Sequence, residues 1–159
     1  MAHITIEYVI MVPMLILQIF LFPLTASWLM NIWVDSRRTL ALQDVASHLG
    51  STIQQLYFSL NHETISAGTA TYSPGLPPFI EDYNYIGNAT LRKVSESTDS
   101  SKVLKITLTL AKTKITVTTL VILGPNVLWQ PSVFVSNSTN ALVNAEKLWD
   151  GTIRLYFGG

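Results

Sequence analysis

The sequence predicts an α+β fold in which a long N-terminal hydrophobic helix precedes an antiparallel β-sandwich-like domain. Two observations predict it: apolar residues are concentrated in the first third of the chain, and threonine, serine, valine and isoleucine with many turn formers follow Asn61. We divide the 159 residues into a hydrophobic helix (1–34), its amphipathic continuation (35–60) and a β-rich globular domain (61–159).

The hydrophobic segment is long enough to cross a bilayer. No charged side chain occurs from Tyr8 to Val34, a run of 27 residues, whereas a helix needs only ~20 to span the hydrocarbon core. Because apolar residues occupy nearly every helical face, we expect lipid or other helices to surround this segment.

The next segment carries one apolar stripe. Leucine, valine and isoleucine recur there at spacings of mostly three and four, which is typical of a helix packed on a sheet: Leu40, Leu42, Val45, Leu49, Ile53, Leu56 and Leu60. No proline lies between Pro23 and Pro74, so a single helix of about 57 residues and roughly 85 Å is predicted to end near Leu60 and Asn61. Pro13 and Pro23 are expected to kink it or leave a carbonyl without its donor, and Gly50 to weaken it.

The remaining hundred residues predict seven or eight short strands in an antiparallel sandwich or open barrel. Residues 103–110 and 114–123 alternate between apolar and polar and form one predicted hairpin. A second pairs residues 141–148, as strand or short helix, with 152–157 across Asp150-Gly151. Residues 95–101 are predicted to be an exposed loop. Other turns are predicted at Ser73-Pro74-Gly75, Pro77-Pro78, Gly87-Asn88 and Gly124-Pro125-Asn126.

Charge and composition exclude several functions. Ten basic and ten acidic residues leave no net field, so nucleic-acid binding is not expected, and the absence of cysteine excludes disulfides and thiol chemistry. His3, His48 and His62 are too scattered for a metal site, and the acidic residues Glu63 and Glu81-Asp82 are interpreted as exposed loops rather than a cation site. We predict no catalytic residue, metal or cofactor, and no enzyme.

Glu7 is the only acidic residue among the first thirty-four. An unpaired carboxylate in an apolar environment costs several kcal/mol, so Glu7 must meet a cation, stay at the water interface or become protonated. A position near a helix N-terminus adds ~0.3–1 kcal/mol of stabilisation.

The segment around Glu7 resembles the type IV pilin superfamily, including archaeal and TadE-like pilins, in which a glutamate heads an uninterrupted hydrophobic helix. The resemblance covers residues 3–35 and implies that Glu7 meets the N-terminal amine of a neighbouring subunit. It also implies the partners: copies of this chain in a helical filament, a prepilin peptidase, an assembly ATPase with its platform, and the membrane before assembly. The alternative is a lone interfacial glutamate that begins an ordinary membrane anchor.

Polar and aromatic residues inside the apolar run are candidate assembly residues, together with Glu7, Pro13 and Pro23. Gln18, Asn31, Thr25 and Ser27 are expected to turn toward neighbouring helices, or, for the last two, to bond to their own helix. Trp28 and Trp33 are expected to mark a membrane interface or to fill gaps between packed helices.

The N-terminus leaves processing and orientation open. Met1-Ala2-His3 is not a basic leader; cleavage after Ala2, loss of a longer leader and no processing are all consistent with it. Arg37 and Arg38 alone favour a cytoplasmic β domain, and a missing basic leader reverses that bias. Two glycosylation sequons, at Asn88 and Asn137 in predicted loops, favour an external domain.

The threonine-rich, cysteine-free β domain also resembles the outer domains of archaeal pilins. We therefore expect a structural subunit of an extracellular filament, inserted in the cytoplasmic membrane before assembly, with a β domain for adhesion or surface attachment. The alternatives are a minor pilin-like component of a secretion or uptake machine, and a single-pass protein with an extracellular ligand-binding β domain.

Overall fold

A computed structural model describes residues 2–94 and 101–158, without the side chains of residues 2–8. The chain forms two compact units, Met1–Arg37 and Arg38–Gly159. One α-helix, α1 (Ala2–Leu60), runs through Pro13, Pro23 and Gly50 and ends where the sequence predicts. The predicted α+β fold is confirmed by this helix and two four-stranded sheets.

The β domain contains eight strands among the described residues. The first sheet has the order β1-β7-β8-β5 and the second β4-β3-β2-β6. Neighbours pair antiparallel except β5 and β8, whose parallel pairing departs from the predicted antiparallel arrangement. The strands are β1 (Gly68–Tyr72), β2 (Tyr85–Lys93), β3 (Lys102–Leu110), β4 (Thr116–Leu123), β5 (Val127–Trp129), β6 (Val133–Val135), β7 (Leu142–Lys147) and β8 (Ile153–Gly158).

Both predicted hairpins form. β3 pairs with β4 through a turn in which Lys112 has a φ of 58°. β7, a strand rather than a short helix, pairs with β8 through a turn in which Gly151 has a φ of 81°, a conformation that favours glycine. The predicted loop at 95–101 lies outside the described residues except for Ser101.

The stripe of the helix supplies one wall of the core in the second unit. Leu42, Leu49 and Ile53 are fully buried and belong to one cluster with the inward side chains of both sheets. The prediction for Leu40 was wrong, since it is 66% exposed. At about 100° per residue, a position two residues before Leu42 lies on the opposite face of the helix.

Gly87 and Asn88 form part of strand β2, so the turn predicted there was wrong. A Cβ on Gly87 would lie 2.7 Å from Leu108 Cδ2 and 3.2 Å from Phe134 Cβ. Glycine is needed at this position because two neighbouring strands bring side chains against its backbone.

Candidate assembly site on the apolar helix

The surface of α1 between residues 9 and 34 is apolar and open. From Val9 to Trp33 its large hydrophobic side chains are exposed by 44% (Ile32) to 76% (Phe22), and Val34 is half-buried. The helix is long and apolar enough to cross a membrane, with a mean hydropathy of 2.3 in its most apolar window and none of that window buried in the protein. Continuous apolar surface of this extent is avoided in water, and it is compatible with insertion into a membrane.

The predicted assembly residues other than Glu7 lie along this surface. Gln18 and Pro23 line one notch, which also includes Phe22. Trp33 lines a second notch, and Trp28 and Asn31 lie on one helical face because they are three residues apart.

Proline creates a local gap in the hydrogen bonds of the helix. Pro23 has no N–H to donate to the carbonyl of Ile19, four residues earlier, and Pro13 has none for Val9. Thr25 uses its hydroxyl within its own helix: it donates to the carbonyls of Leu21 at 3.1 Å and Phe22 at 3.0 Å. This is the intrahelical bond that was one of the two alternatives for Thr25.

Trp33 has a cationic neighbour. The guanidinium of Arg37 lies 5.3 Å from the centroid of its ring, a cation–π contact that contributes ~0.5–1 kcal/mol at an exposed site. The aromatic ring and the charge together are typical of the boundary between an apolar layer and water. The side chain of Glu7 lies outside the described residues, so its role stays a prediction.

In the second unit, Glu81 takes part in an ion pair. Arg38 Nε donates to Glu81 Oε2 at 2.8 Å, and its guanidinium lies 5.0 Å from the centroid of the Tyr83 ring. Glu81 and Asp82 occupy a tight turn with φ of 45° and 68°. The interpretation of Glu81 as a solvated loop residue was therefore wrong: it attaches the turn to the helix.

A polar network fixes the last turn of α1 to the loop after β4. The Tyr57 hydroxyl donates to Asn126 Oδ1 at 2.7 Å, and Asn126 Nδ2 donates to Asn61 Oδ1 at 2.7 Å and to the Gly151 carbonyl at 2.9 Å. Sequence reasoning missed this network, although the turn Gly124-Pro125-Asn126 was the available signal. Its effect is to hold the helix end and two loops together.

The sequons differ in their structural setting. Asn88 lies within β2, opposite Thr107 on one side and Val133 on the other, so the prediction of a loop was wrong for this site. Asn137 lies in the turn that follows β6, as predicted, and is exposed. The described residues contain no group of three acidic or histidine side chains suited to a metal ion.

Three titrating groups of the β domain respond to their surroundings. Burial raises the pKa of Tyr85 to about 12, and its hydroxyl donates to the Pro77 carbonyl at 2.8 Å. Burial, with the nearby charge of Lys93, lowers the pKa of Lys102. Hydrogen bonds from Thr152 lower the pKa of the Asp150 carboxyl. Tyr85 and Asp150 thus bond to nearby backbone groups, and Lys102 lies opposite Lys93 in the β2–β3 pair.

Residues 9–34 include no charged side chain, so this helix surface offers mainly apolar contact. Comparison of the chain with protein-family models, with curated proteins and with solved structures finds no match.

Proposed function

We propose that this chain is a structural subunit of an extracellular filament of the type IV pilin kind, which polymerises through residues 9–34 of α1. One observation carries the proposal: a single unbroken helix supplies both this exposed apolar surface and the buried stripe from Leu42 to Leu60 in the β domain. An ordinary anchor needs no such continuation into a folded domain. A filament subunit uses it to join the outer domain to its polymerising segment.

Energetics favour a covered state for the helix. Each large apolar side chain that leaves water contributes ~1.5–3 kcal/mol, so the exposed side chains of residues 9–34 make the uncovered helix strongly unfavourable in water. Lipid covers them before assembly, and neighbouring helices cover them afterwards. Contacts between different surfaces of successive copies produce an open filament when the rotation between copies does not close a ring.

In this proposal, Glu7 sets the register of one helix against the helix of a neighbouring copy. A carboxylate surrounded by apolar helices is costly unless a cation meets it. The N-terminal amine of a neighbouring copy, freed by a prepilin peptidase, is that cation. An assembly ATPase and its platform move the chain from the membrane into the filament, and the β domains, glycosylated at the sequons, form the outer surface used for attachment.

Electron microscopy of material sheared from cells that produce the chain, with intact-mass and N-terminal analysis, tests the proposal. Thin filaments with this chain as their main component are the expected result. A chain that stays in the membrane as a monomer contradicts it and favours a single-pass protein with a ligand-binding β domain. Filaments in which the chain is only a trace component indicate a minor pilin-like subunit.

A further inference from the structure

We infer that neighbouring copies also contact each other outside residues 9–34, through two complementary surfaces. Leu40 and Asp44 of α1 in one copy dock on the solvent-facing side of the second sheet in the next copy, where Leu120 of β4 and Lys105 of β3 receive them. The inference rests on the proposed filament and adds a second interface between its subunits. It is supported by exposed apolar side chains, charges of opposite sign and similar spacing on the two surfaces.

The first surface is the solvent-facing side of α1 in the second unit. Leu40 is 66% exposed, although the buried positions of the same helix begin at Leu42. Asp44 is exposed four residues after Leu40, on the same side of the helix and ~6 Å along its axis. It is the only aspartate, glutamate, lysine or arginine in residues 39–60. This surface therefore offers an apolar side chain beside a single negative charge.

The second surface is the solvent-facing side of β4 and its neighbour β3. Leu120 and Ile122 alternate with buried residues and are 65% and 63% exposed. Lys105 is exposed and lies directly opposite Leu120 in the β3–β4 pair, so their Cβ atoms are ~4.5–5.5 Å apart. β4 is an edge strand without a charged residue or proline, the residues that commonly protect an edge strand from pairing with other chains. This surface is thus open to a partner that supplies apolar contact.

The two surfaces carry opposite charge. The strands of the second sheet contain basic residues and no acidic one, whereas Asp44 makes the helix surface negative. Among the residues that the structure describes, neither Asp44 nor Lys105 takes part in an ion pair. The acidic and apolar side chains of the helix are ~6 Å apart along its axis, and the basic and apolar side chains of the sheet are ~5 Å apart. The apolar contact and the ion pair can therefore form together.

A second copy of this chain is the partner that these features favour. A Cβ on Gly50 would lie 3.0 Å from Val121 Cγ2, so this turn of the helix packs beside β4. Leu40 lies ten residues earlier, ~15 Å along the helix. Leu40 and Leu120 of one chain are therefore too far apart to touch, and the two surfaces can meet only between copies. A contact between different surfaces repeats from copy to copy, as an open filament requires.

Disulfide crosslinking in sheared filaments tests the contact, since the chain has no cysteine of its own. We expect the double variant Leu40→Cys with Leu120→Cys to give a ladder of covalent dimers and higher oligomers under oxidation, because each copy then takes part in two contacts. Either single variant should stay monomeric. The matched control is Leu40→Cys with Leu128→Cys, and it should give no ladder, because Leu128 is a 47% exposed leucine of the first sheet.

Charge reversal tests the ion pair in the same double-cysteine chain. Asp44→Lys or Lys105→Glu alone should lower the crosslinked fraction by about two- to fivefold, the factor that corresponds to an exposed ion pair. Both reversals together should restore the crosslinked fraction. Lys114→Glu is the control at an exposed position between β3 and β4 and should leave the ladder unchanged. Equal crosslinked fractions in all these variants overturn the pairing of Asp44 with Lys105.

The outcomes separate this second interface from the proposed function. Filaments of the double-cysteine variant that give no ladder overturn the second interface and leave polymerisation through residues 9–34 standing. Covalent dimers from Leu40→Cys or Leu120→Cys alone indicate contact between identical surfaces and also overturn it. A covalent product with a different protein shows another partner and has the same consequence. The absence of filaments from the parent sample overturns both proposals.

Discussion

Replacing Gly124 by alanine should release the end of the helix from the β domain. A Cβ at this position would overlap the Tyr57 hydroxyl and lie 3.1 Å from Tyr57 Cζ. The ring must move, so its hydrogen bond to Asn126 is lost. A buried hydroxyl left without a partner costs ~1–3 kcal/mol. We therefore expect Gly124→Ala to lower the free energy of unfolding by about 1–3 kcal/mol.

Urea unfolding of the detergent-solubilised chain, followed by tryptophan fluorescence, measures this change. Gly68→Ala is the matched control, because a Cβ there meets nothing within 4 Å and the residue is exposed; it should stay within ~0.5 kcal/mol of the parent. Adding Tyr57→Phe to Gly124→Ala removes the overlapping oxygen and should cost less than the sum of the two single changes. If Gly124→Ala and Gly68→Ala have the same free energy of unfolding, this account of the Tyr57 network is refuted.

Three further outcomes follow from the same structure. Glu7→Ala should reduce filament yield in sheared fractions while the β domain keeps its circular dichroism spectrum; normal yield contradicts the role assigned to Glu7. Leu49→Ala, at a fully buried position, should cost ~2–5 kcal/mol of unfolding free energy, whereas Leu40→Ala at 66% exposure should cost almost nothing; equal losses in urea titrations contradict the placement of the stripe. The folded-state pKa of Tyr85 lies near 12, whereas the ordinary value is 10.0. The contribution of Tyr85 to the free energy of unfolding is therefore complete below pH 10 and is lost as pH rises toward 12, by about 1.4 kcal/mol per pH unit. Tyr85→Phe should flatten this part of the curve of stability against pH, and an unchanged slope counts against the raised pKa of Tyr85.

Local patterns were sufficient for the elements with strong periodicity. The end of α1 at Leu60 follows from the last apolar position of the stripe, and the β3–β4 hairpin follows from strict alternation of apolar and polar residues. Both signals depend only on neighbours in sequence, so a single chain reveals them.

Features that depend on distant contacts were not predictable in this way. The parallel pairing of β5 with β8 joins residues far apart in sequence and leaves no local pattern. The sequence predicts a turn at Gly87, because glycine serves both in turns and where backbone and side chains pack closely. The contact with Phe134 that decides between them comes from another strand.

The candidate assembly surface was predicted in extent but not in detail. The absence of charged side chains in residues 9–34 identifies this apolar segment directly, because charge can be read from the sequence alone. The hydroxyl of Thr25 bonds within its own helix, and two alternatives had been open because threonine satisfies either a neighbouring helix or its own carbonyls. The attachment of Glu81 to Arg38 was missed, since the two residues are 43 positions apart.

Photo-crosslinking within the apolar segment tests most directly whether copies of this chain cover it. A benzophenone amino acid in place of Phe20, which is 69% exposed, reacts with whatever lies against the helix. Irradiation of sheared cell-surface material should give a ladder of covalent dimers and higher oligomers of this chain, lost when detergent disperses the sample beforehand. Adducts with lipid alone, and no oligomer of this chain, would contradict a filament built on this helix.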